Sequence, residues 1–128
     1  MRRTWLAVAC AMAMGLAAVE IGEAHHGTAA YDTTTNVTVT GVVTEFKFVN
    51  PHVLVLWDVK DESGALQHWS GERSGPNSMA RERGWNRNTI KPGDQVTITG
   101  RPAINRSHTM AISKILLNGK DITSAETN

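Results

Sequence analysis

Two adjacent histidines, His25 and His26, give this sequence its clearest metal-binding chemistry. They directly follow Gly22-Glu23-Ala24, which puts small residues at the two positions that a signal peptidase reads. Cleavage after Ala24 would make His25 the first residue, with a free α-amine and an imidazole on the same residue. Two such nitrogens form a chelate that suits copper, and zinc is the alternative because it also takes imidazole ligands. The sequence therefore predicts a copper site at His25 and His26.

Residues 1–24 have the organisation of a signal peptide. Arg2 and Arg3 form the charged start, and an apolar run at 7–19 precedes the cleavage site. This run is too short to span a bilayer, which needs about 20 residues. We therefore expect a bacterial protein of the periplasm or the medium, with no integral membrane segment after cleavage. The paired arginines leave both the general secretory and the twin-arginine export routes open.

The residues after position 24 argue against several classes of function. Cys10, the single cysteine, lies in the predicted signal peptide, so disulfides, thiolate metal sites and cysteine nucleophiles are not expected. The formal net charge is +1 and no basic block occurs, so we expect no nucleic-acid partner. No serine lies in a nucleophile elbow, and no glycine-rich loop suits phosphates. We therefore predict a binding module rather than an enzyme, with no catalytic residues.

The residue patterns after the cleavage site predict a polar arm, one β domain and a tail. The flexible arm covers 25–36, where only Tyr31 can anchor it; the barrel domain covers 37–122, and a disordered tail covers 123–128. Gly41 predicts a bulge or bend inside the first strand. Runs of β-branched and aromatic residues between turns predict five strands, at 37–49, 52–59, 65–73, 95–101 and 109–117.

A short helix is predicted near 77–84, with Asn77 or Ser78 as its cap and Gly84 at its end. Five strands with a helix between the third and the fourth is the order of an OB-fold, a small partly open barrel. We therefore predict an all-β fold with one short helix, a five-stranded OB-fold-like barrel preceded by the flexible arm. Another small antiparallel barrel or sandwich is the alternative.

The loops after the first and fourth strands flank the usual binding face of an OB-fold. His52 lies in one loop and His108 in the other, so both are candidate metal ligands beside His25 and His26. The first strand ends at the first loop, so its start and the arm are expected at the opposite end of the barrel unless that strand curves strongly. A local chelate of His25 and His26 and a site joined to His52 therefore both stay open.

Three tryptophans, Trp57, Trp69 and Trp85, are expected in the core. Trp57 shares the phase of Val53 and Val55 along its strand, which indicates an inward face. The alternative is an aromatic ligand-binding platform for a sugar or another flat ligand.

Other polar residues of the third strand are assigned to the surface. His68 alternates with its neighbours in mid-strand and is expected at the surface or in packing. Glu72 and Arg73 are interpreted as solvated charges and members of local ion pairs, of little energetic weight.

Several short motifs together resemble those of a widespread family of small exported bacterial proteins, catalogued as a domain of unknown function. The resemblance covers most of residues 24–101 and departs at Gly27, where the family usually has serine. It implies an exported β-barrel domain and no particular activity. The motifs are His25-His26-Gly27, Gly41-Val42-Val43, Asn50-Pro51-His52, Trp69-Ser70-Gly71-Glu72, Gly84-Trp85 and Lys91-Pro92-Gly93-Asp94.

The sequence leaves three hypotheses for function. The first is a non-enzymatic periplasmic module that binds copper, or zinc, through His25 and His26, with or without His52. The second is a metal-free OB-type module that binds a peptide, a glycan or a protein partner of the cell envelope on its barrel face. The third is a copper-dependent oxidase-type enzyme with an N-terminal histidine chelate, which resembles the polysaccharide mono-oxygenases only at the first residue.

Overall fold

The computed structural model describes residues 28–124. A short 3-10 turn, Thr28–Ala30, precedes six strands and one helix. The predicted signal peptide, His25, His26 and residues 125–128 lie outside the described part. The strands are β1 (Val37–Lys47), β2 (Leu54–Lys60), β3 (Leu66–Glu72), β4 (Gln95–Pro102), β5 (Thr109–Leu117) and β6 (Lys120–Asp121), and helix α1 (Pro76–Arg83) lies between β3 and β4.

The strands form a closed barrel of OB-fold topology. The sheet order is β3-β2-β1-β4-β5-β6, and a parallel pairing of β3 with β5 closes it. All other pairings are antiparallel. Five strands closed in this way, with a helix between the third and fourth, make an OB-fold. The predicted fold is therefore confirmed, and β6 is a short addition that follows the turn at Asn118 and Gly119.

Strand β1 bends at Gly41 because it belongs to both halves of the barrel. Its first half pairs with β4 and its second half with β2, and Val42 pairs with both strands. A Cβ at Gly41 would collide with the carbonyl oxygen of Asp58 and would lie 2.8 Å from Cδ1 of Trp57. The predicted bend is thus confirmed, and a register shift between Val43 and Glu45 adds a bulge.

Helix α1 closes one side of the core. Its buried residues are Pro76 and Met79. The prediction that Asn77 or Ser78 caps it is wrong, because the helix begins one residue earlier, at Pro76, whose fixed φ suits a first helical position. Gly84 ends the helix in the left-handed conformation, with φ of 66°, as predicted.

The core fills the barrel and extends under α1. Trp57 is fully buried, as its phase along β2 predicts. Thr123 also belongs to this ordered body, because it is buried and its Oγ1 accepts a hydrogen bond from the Ile115 amide at 3.1 Å. The buried cluster comprises Val43, Val53, Val55, Trp57, Met79, Trp85, Ile90, Val96, Ile98, Met110, Ile112 and Ile115.

The start of β1 lies beside the end of β4, so the arm begins near the β4–β5 loop, which is the case that the sequence leaves open for a strongly curved first strand. The bend at Gly41 is the reason, since it lets the first half of β1 follow β4. At this end of the barrel, paired residues connect β1, β4, β5, β3 and β2 in turn. The pairs are Val37 with Gly100, Arg101 with Ala111, Ala111 with Glu72, and Glu72 with Leu54.

No helix within residues 28–124 has the length and apolar character needed to cross a bilayer.

Candidate functional site

Three segments meet at one end of the barrel, which we call the loop end: the arm at 30–32, the β1–β2 loop at 48–53 and the β4–β5 loop at 103–108. The arm is fixed there by backbone hydrogen bonds. The Asp32 amide donates to the Pro102 carbonyl at 2.9 Å, and the Ile104 amide donates to the Ala30 carbonyl at 3.0 Å. Residues on both sides of Tyr31 are therefore tied to the β4–β5 segment.

Strand β3 joins the two loops. The Ser70 amide donates to the carbonyl of His108 at 3.0 Å. Two residues later, Glu72 pairs with Leu54, at the start of β2 just after His52. The candidate ligands His52 and His108 thus lie on the two loops that flank the end of β3, while His25 and His26 lie outside the described residues.

A polar chain connects the arm to His52 through Glu72. Nδ1 of His52 lies 3.4 Å from Oε2 of Glu72. Burial of the phenol, followed by the charge of Glu72 and hydrogen bonding to its carboxylate, raises the pKa of Tyr31 to about 12. Glu72 therefore lies between the arm and the β1–β2 loop; it pairs with a neighbouring group, as the sequence predicts, but its side chain is only 23% exposed and so is less solvated than expected.

Arg73, the next residue, is also held by the barrel. Its guanidinium donates to the carbonyl oxygens of Ile112 at 3.2 Å and Ser113 at 2.9 Å. Burial lowers the pKa of this guanidinium, and the positive charge of Arg83 adds to the effect. The side chain fixes the end of β3 to β5, which corrects its assignment as a solvated charge.

An aromatic stack runs from the core to the surface at the loop end. Trp57 and Trp69 stack with ring centroids 6.0 Å apart, and Trp69 stacks on His108 at 4.9 Å with only 16° between the ring planes. The Nε1 atom of Trp69 is buried and has no hydrogen-bond partner within the described residues. His108 therefore covers one face of Trp69.

Two clefts flank the arm at the loop end, and Tyr31 borders both. One, of about 600 Å³, is lined by Trp69, Ile104, Arg106 and His108 among others. The other, of about 330 Å³, passes over the outer side of β3, with Leu54, Ser70, Glu72 and Asn105 in its wall. The strand 2–3 face between these loops is where OB-folds bind their ligands, so the arm lies along that face.

The three candidate ligand-binding tryptophans differ in exposure. Trp57 is fully buried, and Trp85 is 4% exposed and donates from Nε1 to the Ile122 carbonyl at 3.1 Å. Trp85 also borders a separate cleft beside α1 and β6. Trp69 is the one of the three that lines a cleft at the loop end.

His68 forms a second pair of histidine and carboxylate, away from the arm. It is opposite Asp58 in the β2–β3 register, and its Nδ1 lies 2.5 Å from Oδ1 of Asp58. The His68 side chain is 81% exposed, which confirms the predicted surface position. This pair offers a matched comparison for His52 and Glu72.

Sequence reasoning did not identify Glu72 as a member of the loop end. Its neighbours are His52, from the β1–β2 loop, and Tyr31, from the arm, and both are far away in the sequence. Tyr31 did have a sequence signal, because it is the one bulky residue of the polar arm. Within residues 28–124, no group of three or more His, Cys, Asp or Glu side chains is close enough to hold a metal ion.

No curated protein matches the chain. Among solved structures, the crystal structure of the mitochondrial single-stranded DNA-binding protein from S. cerevisiae is similar, with a TM-score of 0.49 and 10% sequence identity. The match covers 65% of this chain and 92% of that one. The strand order of the barrel, rather than this likeness, assigns the fold. The model of one protein family matches residues 12–111, and the chain therefore belongs to that family, the family of unknown function DUF6152.

Proposed function

We propose that this protein, once exported to the periplasm or the medium, is a non-enzymatic module that binds Cu(II), or less favourably zinc, through His25 and His26. The observation that carries the proposal is the attachment of the arm. Ala30 and Asp32 are bonded to the β4–β5 segment, at the barrel end that bears His52 and His108. A chelate on this arm therefore has further imidazole donors within its surroundings.

The covalent chain limits how far the arm histidines lie from this end. Consecutive Cα atoms are about 3.8 Å apart, so the Cα atom of His26 lies within about 7.6 Å of that of Thr28. Thr28 begins the short turn that leads directly into the anchored residues 30–32. This reach supports a site near the loop end and requires no long detour of the chain.

The chemistry of the chelate sets its pH dependence. Copper takes the α-amine and the imidazoles only in their deprotonated forms, and the amine has a pKa of about 7.7–8.0. Protons therefore compete with the metal, and Cu(II) affinity should weaken as the pH falls below that range.

Titration with Cu(II), followed by EPR, tests the proposal on protein whose first residue is His25. We expect one tightly bound Cu(II) with nitrogen ligands. The matched control carries one glycine before His25, which removes the amine from the histidine chelate and leaves the barrel unchanged. The proposal is overturned if the processed protein binds Cu(II) no more tightly than a single surface histidine does, or if the added glycine has no effect.

A second candidate function is the binding of a flat ligand, such as a sugar ring, in the larger cleft at the loop end. It is favoured by the stack of Trp69 and His108 in the wall of that cleft. Titration of metal-free protein with oligosaccharides, followed by tryptophan fluorescence, tests it. A saturable change that is lost in Trp69→Phe would support this candidate, and an unchanged spectrum across the titration would remove it.

A further inference from the structure

The larger cleft at the loop end presents the ring of His108 to a ligand rather than the ring of Trp69. Strand β3 pairs with β2 on one side and with β5 on the other, so two rings reach Trp69 from opposite sides. Trp57 of β2 stacks at 6.0 Å between ring centroids, and His108, directly before β5, stacks at 4.9 Å. Both faces of Trp69 are therefore covered, and the outer face of the exposed His108 ring ends the stack in the wall of the cleft.

An unpaired positive charge lines the same cleft. Arg106 is exposed and lies two residues before His108. Its guanidinium forms no ion pair or hydrogen bond with any other residue of the range 28–124. The carboxylate of Asp32 also lines the cleft, but its Oδ1 accepts the amide and the hydroxyl of Thr34, at 2.8 and 2.7 Å. The donors of the guanidinium are therefore available to an acceptor on a ligand.

The backbone at Arg106 indicates that its side chain has a role. Its φ of 61° lies in the left-handed region, which favours glycine or asparagine over a residue such as arginine. Hydrogen bonds hold this conformation from both sides. The Arg106 amide donates to the Ala103 carbonyl at 3.0 Å, and the Ser107 amide donates to Oδ1 of Asn105 at 2.9 Å. Residues fixed in such conformations cluster at ligand-binding sites.

Building on the second candidate function, we propose that the ligand of this cleft is an acidic sugar, a uronic acid residue of a glycan. Its ring packs on the outer face of the His108 imidazole and against the side chain of Ile104, which is 62% exposed. Its carboxylate pairs with the guanidinium of Arg106. The volume of about 600 Å³ is usual for a small-molecule site.

The charges around the cleft favour a carboxylated sugar over a nucleic acid strand. A single strand presents one phosphate per nucleotide and is bound along a positively charged groove. Here Arg106 is accompanied by the opposite charge of Asp32, and the whole chain has a formal net charge of only +1. One guanidinium beside a ring platform matches a ligand that carries one carboxylate on its ring.

Calorimetric titration of the metal-free protein tests the inference with short oligomers of galacturonic, glucuronic and mannuronic acid. Each acid is compared with its methyl ester, which keeps the rings and removes the negative charge. We expect at least one acid to bind about 10–100-fold more tightly than its ester, the usual effect of a hydrogen bond to a charged group. Added salt should reduce this preference.

Two arginine variants assign the preference to the cleft. Arg106→Asn removes the charge and supplies a residue that tolerates the left-handed backbone, so its thermal midpoint should not fall. It should bind the acid and the ester equally. The matched control is Arg87→Asn, because Arg87 is also exposed and lies in the loop between α1 and β4. This control should keep the full preference for the acid.

NMR of the histidine rings supplies a readout that a structural role of Arg106 would not change. The saturating acid should shift the imidazole proton signals of His108 in the unaltered protein. Those of His68, on the β2–β3 hairpin, should stay unchanged and serve as the internal control.

The outcomes separate this inference from the candidate function on which it rests. If the esters bind as tightly as the acids, or if Arg106→Asn keeps the preference, the inference is overturned and the second candidate function stands. Unshifted His108 signals, or tighter binding of oligothymidylate than of every uronate, would also overturn the inference. If no saccharide binds, both are overturned, whereas the copper proposal is independent of this result.

Discussion

The single tyrosine of the chain makes the contact between the arm and the barrel measurable. Tyr31 has a pKa raised from 10.0 to about 12 by its burial, by the charge of Glu72 and by a hydrogen bond to that carboxylate. Glu72→Gln removes the charge and keeps a side chain of nearly the same shape. We therefore expect the pKa of Tyr31 to fall in this variant, but not to its ordinary value, because burial is the largest cause and remains.

The expected fall in the pKa of Tyr31 depends on how strongly solvent screens the charge of Glu72. Two unit charges about 4 Å apart interact by about 1 kcal/mol in water and about 4 kcal/mol near a protein surface. Tyr31 is only half-buried, so solvent screening favours the lower figure. At 1.36 kcal/mol per pKa unit, this corresponds to a fall of roughly one unit. The midpoint in Glu72→Gln should therefore lie about midway between the unaltered protein and a free tyrosine.

Spectrophotometric titration measures this directly, because the phenolate absorbs in the near ultraviolet and no other tyrosine contributes. His68→Ala is the control and should keep the midpoint of the unaltered protein. A midpoint that is the same in Glu72→Gln and the unaltered protein would refute the contact between arm and barrel. So would an unaltered protein that titrates like a free tyrosine.

The raised pKa of Tyr31 makes the stability of the folded protein depend on pH above pH 10. The pKa of Tyr31 in the folded state, about 12, is above its ordinary value of 10.0. The folded state therefore binds the phenolic proton more tightly than the unfolded state does. The stabilisation linked to this proton is complete below pH 10 and is lost as the pH rises from 10 towards 12. Urea unfolding across this range should show a smaller decline in Glu72→Gln.

Three further predictions concern the barrel. Gly41→Ala should destabilise the barrel by about 1–3 kcal/mol in urea unfolding, because the new Cβ meets the Asp58 carbonyl oxygen. An unfolding midpoint within error of that of the unaltered protein would contradict the close approach of β1 and β2. Trp57→Ala should cost about 3–5 kcal/mol by the same assay, since its side chain is fully buried, and a cost below about 1 kcal/mol would show that Trp57 is not packed in the core. His108→Ala should increase acrylamide quenching of Trp69 fluorescence, because it uncovers one face of the indole; equal quenching would contradict the stack.

Local patterns in the sequence predicted the elements of the barrel well. The strands were recognisable because β-branched residues alternate between turns, and Trp57 was placed inward by its phase with Val53 and Val55. Gly84 was identifiable as the helix end because a left-handed residue there favours glycine. The N-terminal boundary of α1 was placed one residue too late because Asn77 and Ser78 are usual cap residues, whereas Pro76, with its fixed φ, suits a first helical position.

Features that depend on distant pairings could not be predicted in the same way. The location of the arm follows from the pairing of Val37 with Gly100, which requires the bend of β1 to be known in three dimensions. The contact of Glu72 with His52 requires the β2–β3 register, and its contact with Tyr31 also requires the closure of β3 on β5. A charged residue in such a position cannot be distinguished from a solvated one by sequence spacing alone.

The arm distinguishes this barrel from OB-folds whose binding face is open. Tyr31 borders the cleft over the outer side of β3, where ligands of OB-folds usually lie. A segment of the chain itself therefore occupies part of that face. Under the proposed function, the residues that precede this segment contribute the metal donors.

Native mass spectrometry of the protein recovered after export, with one equivalent of Cu(II) added, tests the central claim most directly. A single spectrum reports both the first residue of the chain and the number of retained metal ions. The proposal predicts a chain that begins at His25 and retains one copper ion. A chain that begins at another residue, or one that begins at His25 and retains no copper, would contradict it.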